Sequence, residues 1–242
     1  MSTVFSAFEL GFQALNDAVR AATGDIEIRN SFGERFIAAS ATSDKRIKIS
    51  GTPGNALGCY LDGAFVEVLG NAQDAVGDTM NDGEIIVHGR AGDALGYAMR
   101  GGIIYVKGDS GYRTGIHMKQ YLDKRPVIVV GGGTGSFLGE YMAGGLLIVL
   151  GLGSGGKPEI GGFTGTGMHG GKIFIRCDAA PEGLPSQVAC AVAAAEEVVS
   201  ISEYLKRFAS LFGEDANELL GSKYYVLTPN AANPYKQMYT AN

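Results

Sequence analysis

The residues of this 242-residue chain that could do chemistry are few and scattered. The histidines are His88, His117 and His169, far from H-E-x-x-H or H-x₃-H spacing, so a zinc site is not expected. His117 and His169 stand beside methionines, where a structural hydrogen bond is the expected role. Cys59, Cys177 and Cys190 show no paired spacing, which argues for a reducing compartment without disulfides or an iron–sulfur cluster. Gly165-Thr166-Gly167-Met168-His169-Gly170 matches G-x-G-x-x-G by letter, but a strand rather than a helix should follow it. The dinucleotide fingerprint needs that helix, because its N-terminus holds the pyrophosphate. Gly151 to Pro158 resembles a phosphate-binding loop still less, with proline after Lys157 where Ser or Thr belongs. Ser136 lacks the G-x-S-x-G spacing of an esterase elbow. Asp74 and Asp93 share one position of a repeat, next to Asn55, Tyr112 and Ser136 in neighbouring copies. They read as a ladder or a solvated edge, and glycoside chemistry is not expected of them. Arg100, Arg113, Lys119, Glu140 and Arg176 cluster near glycine corners, as either a docking surface or a solvated rim.

The repeat that must position these residues dominates the chain. Strand-ending positions fall at Gly51, Gly70, Gly89, Gly108, Gly132, Gly151 and Cys177, the first four spaced by nineteen residues. Elbow glycines follow in step at Gly58, Gly77, Gly96, Gly115, Gly139 and Gly165. Behind them sit Leu61, Met80, Met99, Met118, Met142 and Met168. A fixed period near twenty marks a repeat architecture. Before each strand end lies an alternating apolar pair, from Ile47/Ile49 through Val66/Val68, Ile85/Val87, Ile104/Val106, Ile128/Val130 and Leu147/Val149 to Ile173/Ile175. Alternate residues of a strand share a face, so stacked pairs make continuous aliphatic columns. The expected fold is an all-β core, a right-handed parallel β-helix of about seven coils with helical extensions at both ends. Ile26 and Ile28 suggest one earlier rung. The methionine period argues for packed core, not a soft-metal box. Longer spacings around Tyr121–Pro126 and Ser154–Glu159 should be loops on one face.

Outside the repeat the period becomes helical. Phe8, Phe12, Leu15 and Val19 predict an amphipathic helix from about Ser6 to Ala22, with Ser6 as its cap. Pro181 and Pro185 mark the exit from the repeat, and helix is expected again from Ser186 to Phe212, with Val188, Val192, Ala195 and Val199 on one face. A short helix follows from Asp215 to Leu220, then an extended tail, Lys223 to Asn242, laid on a surface. The helical segments should cap or flank the open ends of the solenoid. The division expected is residues 1–24 as N-terminal cap, 25–178 as β-helix and 179–242 as C-terminal extension. A formal charge of −5 with no basic run argues against nucleic acid. No basic-then-apolar leader opens the sequence, and its longest apolar run, Leu146 to Leu150, cannot cross a membrane, so a cytoplasmic protein is expected.

Several segments in order carry a resemblance. They are Gly70-Asn71-Ala72-Gln73-Asp74, Gly77-Asp78-Thr79-Met80, Met99-Arg100-Gly101-Gly102, Gly108-Asp109-Ser110-Gly111-Tyr112-Arg113, Gly115-Ile116-His117-Met118-Lys119, Gly139-Glu140-Tyr141-Met142 and Gly167-Met168-His169-Gly170-Gly171. Together they resemble the C-terminal GXGXG, or β-helix, domain of the glutamate synthase large subunit, over residues 22 to 178 and into the tail at Lys223–Pro229 and Pro234-Tyr235-Lys236. The resemblance implies a scaffold domain. In that family a cysteine amidotransferase domain releases ammonia, which reaches an FMN site and is fixed onto 2-oxoglutarate. This chain opens with Met1-Ser2 and holds neither the cysteine nucleophile, the iron–sulfur cysteines nor an FMN barrel. It therefore looks like a stand-alone structural subunit, without turnover or cofactor of its own. Its expected partners are an amidotransferase chain and an FMN and iron–sulfur chain, and a homo-oligomer is compatible with it. Arg100, Arg113, His117, Lys119, Glu140, Tyr141 and His169 are the expected interface residues. The same domain type serves N-methylglutamate synthase and formylmethanofuran dehydrogenase, and a self-contained ligand-binding or enzymatic β-helix is the rival of a different class.

Overall fold

A computed structural model describes residues 2–230, so Pro234-Tyr235-Lys236 and the rest of the tail beyond Asn230 lie outside the described residues. Nine strands follow one another in parallel. They are β1 (Thr3–Ser6), β2 (Gly24–Phe32), β3 (Lys45–Thr52), β4 (Asp62–Val68), β5 (Asp82–Val87), β6 (Ile103–Val106), β7 (Val127–Val130), β8 (Ala143–Val149) and β9 (Gly170–Arg176). With β10 (Val188–Val192) and β11 (Tyr224–Pro229) they form a single eleven-stranded sheet, and helices are few.

The register matches the apolar pattern. Ile26, Ile47, Val66, Ile85, Ile104, Ile128, Leu147 and Ile173 stand opposite one another in successive strands. The partners two residues later, from Ile28 to Ile175, do the same, and both columns are buried. The earlier rung at Ile26 and Ile28 is thus part of the sheet. Each such side chain contributes roughly 1.5–3 kcal/mol of burial, which no single strand could collect alone. Leu61, Met80, Met99, Met118, Met142 and Met168 close the same interior from the turn side. Backbone bonds run from rung to rung there too, through a parallel ladder Ala72, Ala91, Ser110, Thr134 and Ile160.

The ends depart from expectation. Helix α1 (Ala7–Ala21) buries Ala7, Leu15 and Val19 in the interior and so covers the β2 end. Ser6 precedes it without a side-chain cap bond, and a strand, β1, comes first. A kink at Gly11 (φ 68°, ψ 171°) breaks the helical phase, which leaves Phe8 82 % exposed. The alanine-rich stretch predicted as helix is strand β10 instead, and helix α2 (Ala195–Phe212) starts only after it. Val192 and Val199 are accordingly exposed, not members of a buried helical face. The cause is tertiary: Tyr224-Tyr225-Val226-Leu227 enters the sheet antiparallel between β9 and β10 and supplies Val188–Val192 with a partner strand. The segment expected to lie on a surface is therefore a buried strand at Tyr224–Leu227. Helix α3 (Ala216–Gly221) forms as expected, capped by Asp215 accepting from the N–H groups of Asn217 and Glu218.

Helix α2 does not cap an end. It lies along the outer face of β5 to β9, where Ile86, Tyr105, Val127, Val129, Ile148 and Phe174 meet Ile201, Leu205, Phe208 and Phe212. Lys172 on β9 ties Glu197 at 2.6 Å, and Glu84 on β5 takes Arg207 at 2.9 Å. The helix therefore crosses five strands.

Candidate functional site

The charged and aromatic residues sit on the turns opposite the sheet, and the turn backbone explains how. Three alternate positions in each coil have left-handed φ: the elbow and the residues two before and two after it. In successive coils the first is Ala56, Ala75, Ala94, Arg113, Phe137 and Phe163, and the last is Tyr60, Thr79, Ala98, His117, Tyr141 and Gly167. A coil before them repeats the pattern with Phe36, Ala38 and Ser40. The N–H groups of the flanking positions donate to the next coil, as Arg113 does to Ser136 and His117 to Glu140. The elbow N–H donates to the previous coil instead, as Gly77 does to Leu57. Side chains of one column therefore stack rung on rung.

The last coils use these columns for aromatic rings. Phe137 and Phe163 stack at 5.0 Å, and the Arg113 guanidinium lies 5.2 Å from the Phe137 ring. His117 stacks on Tyr141 at 5.2 Å and meets the edge of Tyr97 at 5.9 Å. Arg113 Nε donates to Glu140 Oε2 at 3.1 Å, and Glu140 is buried beneath it. Four of the seven expected interface residues, Arg113, His117, Glu140 and Tyr141, thus fall in one contiguous patch. Arg100 and Lys119, one elbow further round, are exposed and form no ion pair among the described residues. His169 lies in the last coil, its Nδ1 3.2 Å from the Gly167 carbonyl. Tyr97, Phe137 and Phe163 were not singled out from the sequence. Phe137 and Phe163 could have been found by aligning the residues two before each elbow, whereas Tyr97, one residue after the Gly96 elbow, lies outside both left-handed columns.

The remaining candidates resolve as structure. Asn55, Asp74 and Asp93 form a ladder in which each Oδ1 accepts an N–H of the next coil: Asn55 from Asp74, Asp74 from Asp93 and Asp93 from Tyr112. A second ladder runs from Asn71 to Arg90 and from Asp109 to Gly133. These carboxylate and amide oxygens accept backbone N–H groups and are placed for support. His88 contacts Glu67 at 2.9 Å and the edge of Phe212. Arg176, the fifth charged residue near an elbow, donates to Ser222, Glu218 and the Leu150 carbonyl, so it fastens α3 to the last strand. Burial pushes the Cys177 thiol up to about 11, and Cys59 and Cys190 are raised for the same reason, so none is a ready thiolate nucleophile. Gly165-Thr166-Gly167-Met168-His169-Gly170 leads into β9, not a helix. Among the described residues no three His, Cys, Asp or Glu side chains gather as metal ligands, and no helix is long and apolar enough to cross a membrane.

Comparison with known proteins agrees with this geometry. The chain is 42 % identical over 250 residues to an uncharacterised protein of Methanocaldococcus jannaschii, a match covering 98 % of this chain and 96 % of the relative. The GXGXG motif profile matches residues 12–230, which takes in the α1 end, the coils, α2 and the closing strand β11. The chain belongs to the GXGXG motif family, that of the C-terminal domain of large glutamate synthase chains.

Proposed function

We propose that this chain is the structural and coupling subunit of a split glutamate synthase, the complex that converts glutamine, 2-oxoglutarate and a reductant into two glutamates. In this reading its coils wind into a right-handed parallel β-helix over residues 25–178, with 1–24 as a cap and 179–242 as an extension. It holds an amidotransferase chain and an FMN-binding chain in fixed relation, and FMN and the iron–sulfur centre belong to those partners. Arg100, Arg113, His117, Lys119, Glu140, Tyr141 and His169 meet the partners. The observation that supports this most is the exposed column of rings and cations on a face whose backbone is rigidly stacked. Aromatic residues and arginine are the side chains that anchor interfaces. Membership of the GXGXG family supplies the reaction class.

The test is gentle purification of the native protein with identification of copurifying chains by mass spectrometry and a flavin spectrum of the same sample. An amidotransferase chain and an FMN-containing chain are the expected result. Molybdopterin-type or methyltransferase partners would move the scaffold to a sister complex. A chain that purifies alone and turns over glutamine and 2-oxoglutarate would refute the non-catalytic role.

A further inference from the structure

The sheet ends at β10, and among the described residues only β11 pairs with it. An edge strand presents a row of main-chain donors and acceptors, which proteins commonly guard with lysine, proline, a bulge or a covering segment. The sequence of β10, Val188-Ala189-Cys190-Ala191-Val192, carries no charge and no proline, and its register with β11 is unbroken. Cys190, Ala191 and Val192 are exposed.

The bonding shows which main-chain groups face outward. The Ala193 N–H donates to the Tyr224 carbonyl, and the Asn230 N–H to the Gln187 carbonyl. Antiparallel strands bond at alternate residues. Ala189 and Ala191, in step with Gln187 and Ala193, therefore turn their N–H and C=O toward β11, while Val188, Cys190 and Val192 turn theirs away from it. The Val188 N–H is taken by the Pro185 carbonyl at 2.9 Å. The outward groups left to the edge are the Val188 carbonyl and the N–H and C=O of Cys190 and Val192.

The edge also reads the same in both directions. Laid antiparallel on a second copy about Cys190, it sets Val188 against Val192 and Ala189 against Ala191. Cys190 then exchanges N–H···O bonds with Cys190 of the other copy, and on either side a Val192 N–H meets a free Val188 carbonyl. Further out Gln187 faces Ala193 and Ser186 faces Ala194, so no charged side chain enters the contact from Ser186 to Ala194. A two-fold interface must be complementary to itself, and this strand is so in sequence, in main-chain direction and in charge.

We propose that β10 joins two copies of this chain, paired antiparallel about Cys190, into one continuous sheet. This is strand addition between identical edges. None of the turn residues assigned to partner chains lies on this edge, so the pairing does not depend on those partners.

Sedimentation and cross-linking of the full chain decide it. A contact this short makes a weak dimer, so the mass should rise from one chain toward two between ~1 µM and ~1 mM. Cys59 and Cys177 are buried and Cys190 is exposed. A short bis-maleimide should therefore link two chains through Cys190, and the linked band should vanish in Cys190→Ser. Cys190→Lys sets like charges opposite each other, and Val192→Pro removes an outward N–H while taking none from β11. Both variants should stay monomeric at the upper concentration with an unchanged far-UV circular dichroism spectrum. A wild-type chain that is monomeric throughout overturns the proposal, as does a mass beyond two chains, which means head-to-tail contact. A dimer that Cys190 does not cross-link, or one that survives in either folded variant, overturns it as well.

Discussion

Substituting one elbow glycine tests how the coils are fitted together. Gly58 has φ 65°, and a Cβ there would lie 2.7 Å from Cδ1 of Ile85, with the next atom of Ile85 at 3.7 Å. Gly153 has φ 83° and nothing within 4 Å, so Gly153→Ala measures the backbone cost alone. A left-handed non-glycine residue costs about 1–2 kcal/mol, partly offset by ~0.4–1 kcal/mol from the stiffer unfolded chain. Gly153→Ala should therefore lose ~1 kcal/mol. Gly58→Ala adds the overlap with a buried isoleucine, about 1–3 kcal/mol, for a total of ~2–4 kcal/mol. Ile85→Val alone should cost ~0.5–1.5 kcal/mol. It also removes the one overlapping atom, so the double variant should be no less stable than Gly58→Ala alone. The coupling energy expected is ~1–2 kcal/mol. Urea unfolding followed by far-UV circular dichroism gives these differences in a chain with no tryptophan. Additivity within about 0.5 kcal/mol would refute the fitted-elbow reasoning, as would Gly58→Ala no worse than Gly153→Ala. The first coil points the same way. Its elbow is Ala38, at φ 60°, and the residue in the facing position of the repeat is Val66, which has no Cδ1.

Other outcomes follow from particular contacts. Asp93→Ala should cost about 1 kcal/mol, because the Tyr112 N–H loses its acceptor, whereas Asp93→Asn, which keeps Oδ1, should be nearly neutral by urea denaturation; equal losses would mean that the ladder is held by charge instead. Phe208→Ala removes a fully buried ring from the α2 seam and should cost ~3–5 kcal/mol in the same assay, and a loss below about 1 kcal/mol would show that the helix is not packed there. Arg113→Ala should change folding stability by less than about 1 kcal/mol, since the pair is half-exposed on the arginine side, while reducing recovery of the partner chains in a pull-down; full recovery with lost stability would reverse that assignment. The Lys172 ammonium beside Glu197, together with the Ala194 N–H, holds the Glu197 carboxyl below the usual glutamate value. A depressed folded value means stability that is complete above the ordinary glutamate range and lost as pH falls through the folded value. Glu197→Gln should therefore flatten the acid limb of thermal stability; an unchanged limb refutes it.

The repeat itself was legible because its rules are local. An alternating apolar pair, a glycine and a methionine (leucine at position 61) at recurring spacing defined most rungs, and the observed register pairs Ile85 with Ile104 and Val87 with Val106 as that spacing requires. The earlier rung was legible in Ile26 and Ile28, but its elbow at Ala38 was not, because a rule keyed to glycine cannot see a neighbour one methyl smaller at Val66. The C-terminal region was misread where long-range pairing decided the outcome. Val188–Val192 has too little side chain to announce a strand, and only β11, more than thirty residues later, makes it one. The interface residues were chosen by charge and motif. Their grouping depends on a backbone in which Arg113 and Phe137, twenty-four positions apart, occupy the same column. Phe163 carried no charge and no motif, yet it ends that stack.

The brace formed by α2 sets a length. Between its ties to Lys172 and Glu84 the helix rises ~15 Å, from Glu197 to Arg207, at about 1.5 Å per residue. Five neighbouring strands span ~19 Å at about 4.8 Å each, and the long side chains make up the difference. Inserting or deleting one coil between β5 and β9 would shift one tie by ~4.8 Å, close to the ~5.4 Å of a helical turn. Such a change would need a matching insertion of three or four residues in α2, so the two lengths must vary together. Among the described residues no helix braces the outer face of β2 and β3, and β4 reaches the α2 cluster through Phe65. Relatives of different length should therefore differ in the number of N-terminal coils, with the five strands under α2 held constant, and the helix acts as a ruler for that half of the molecule.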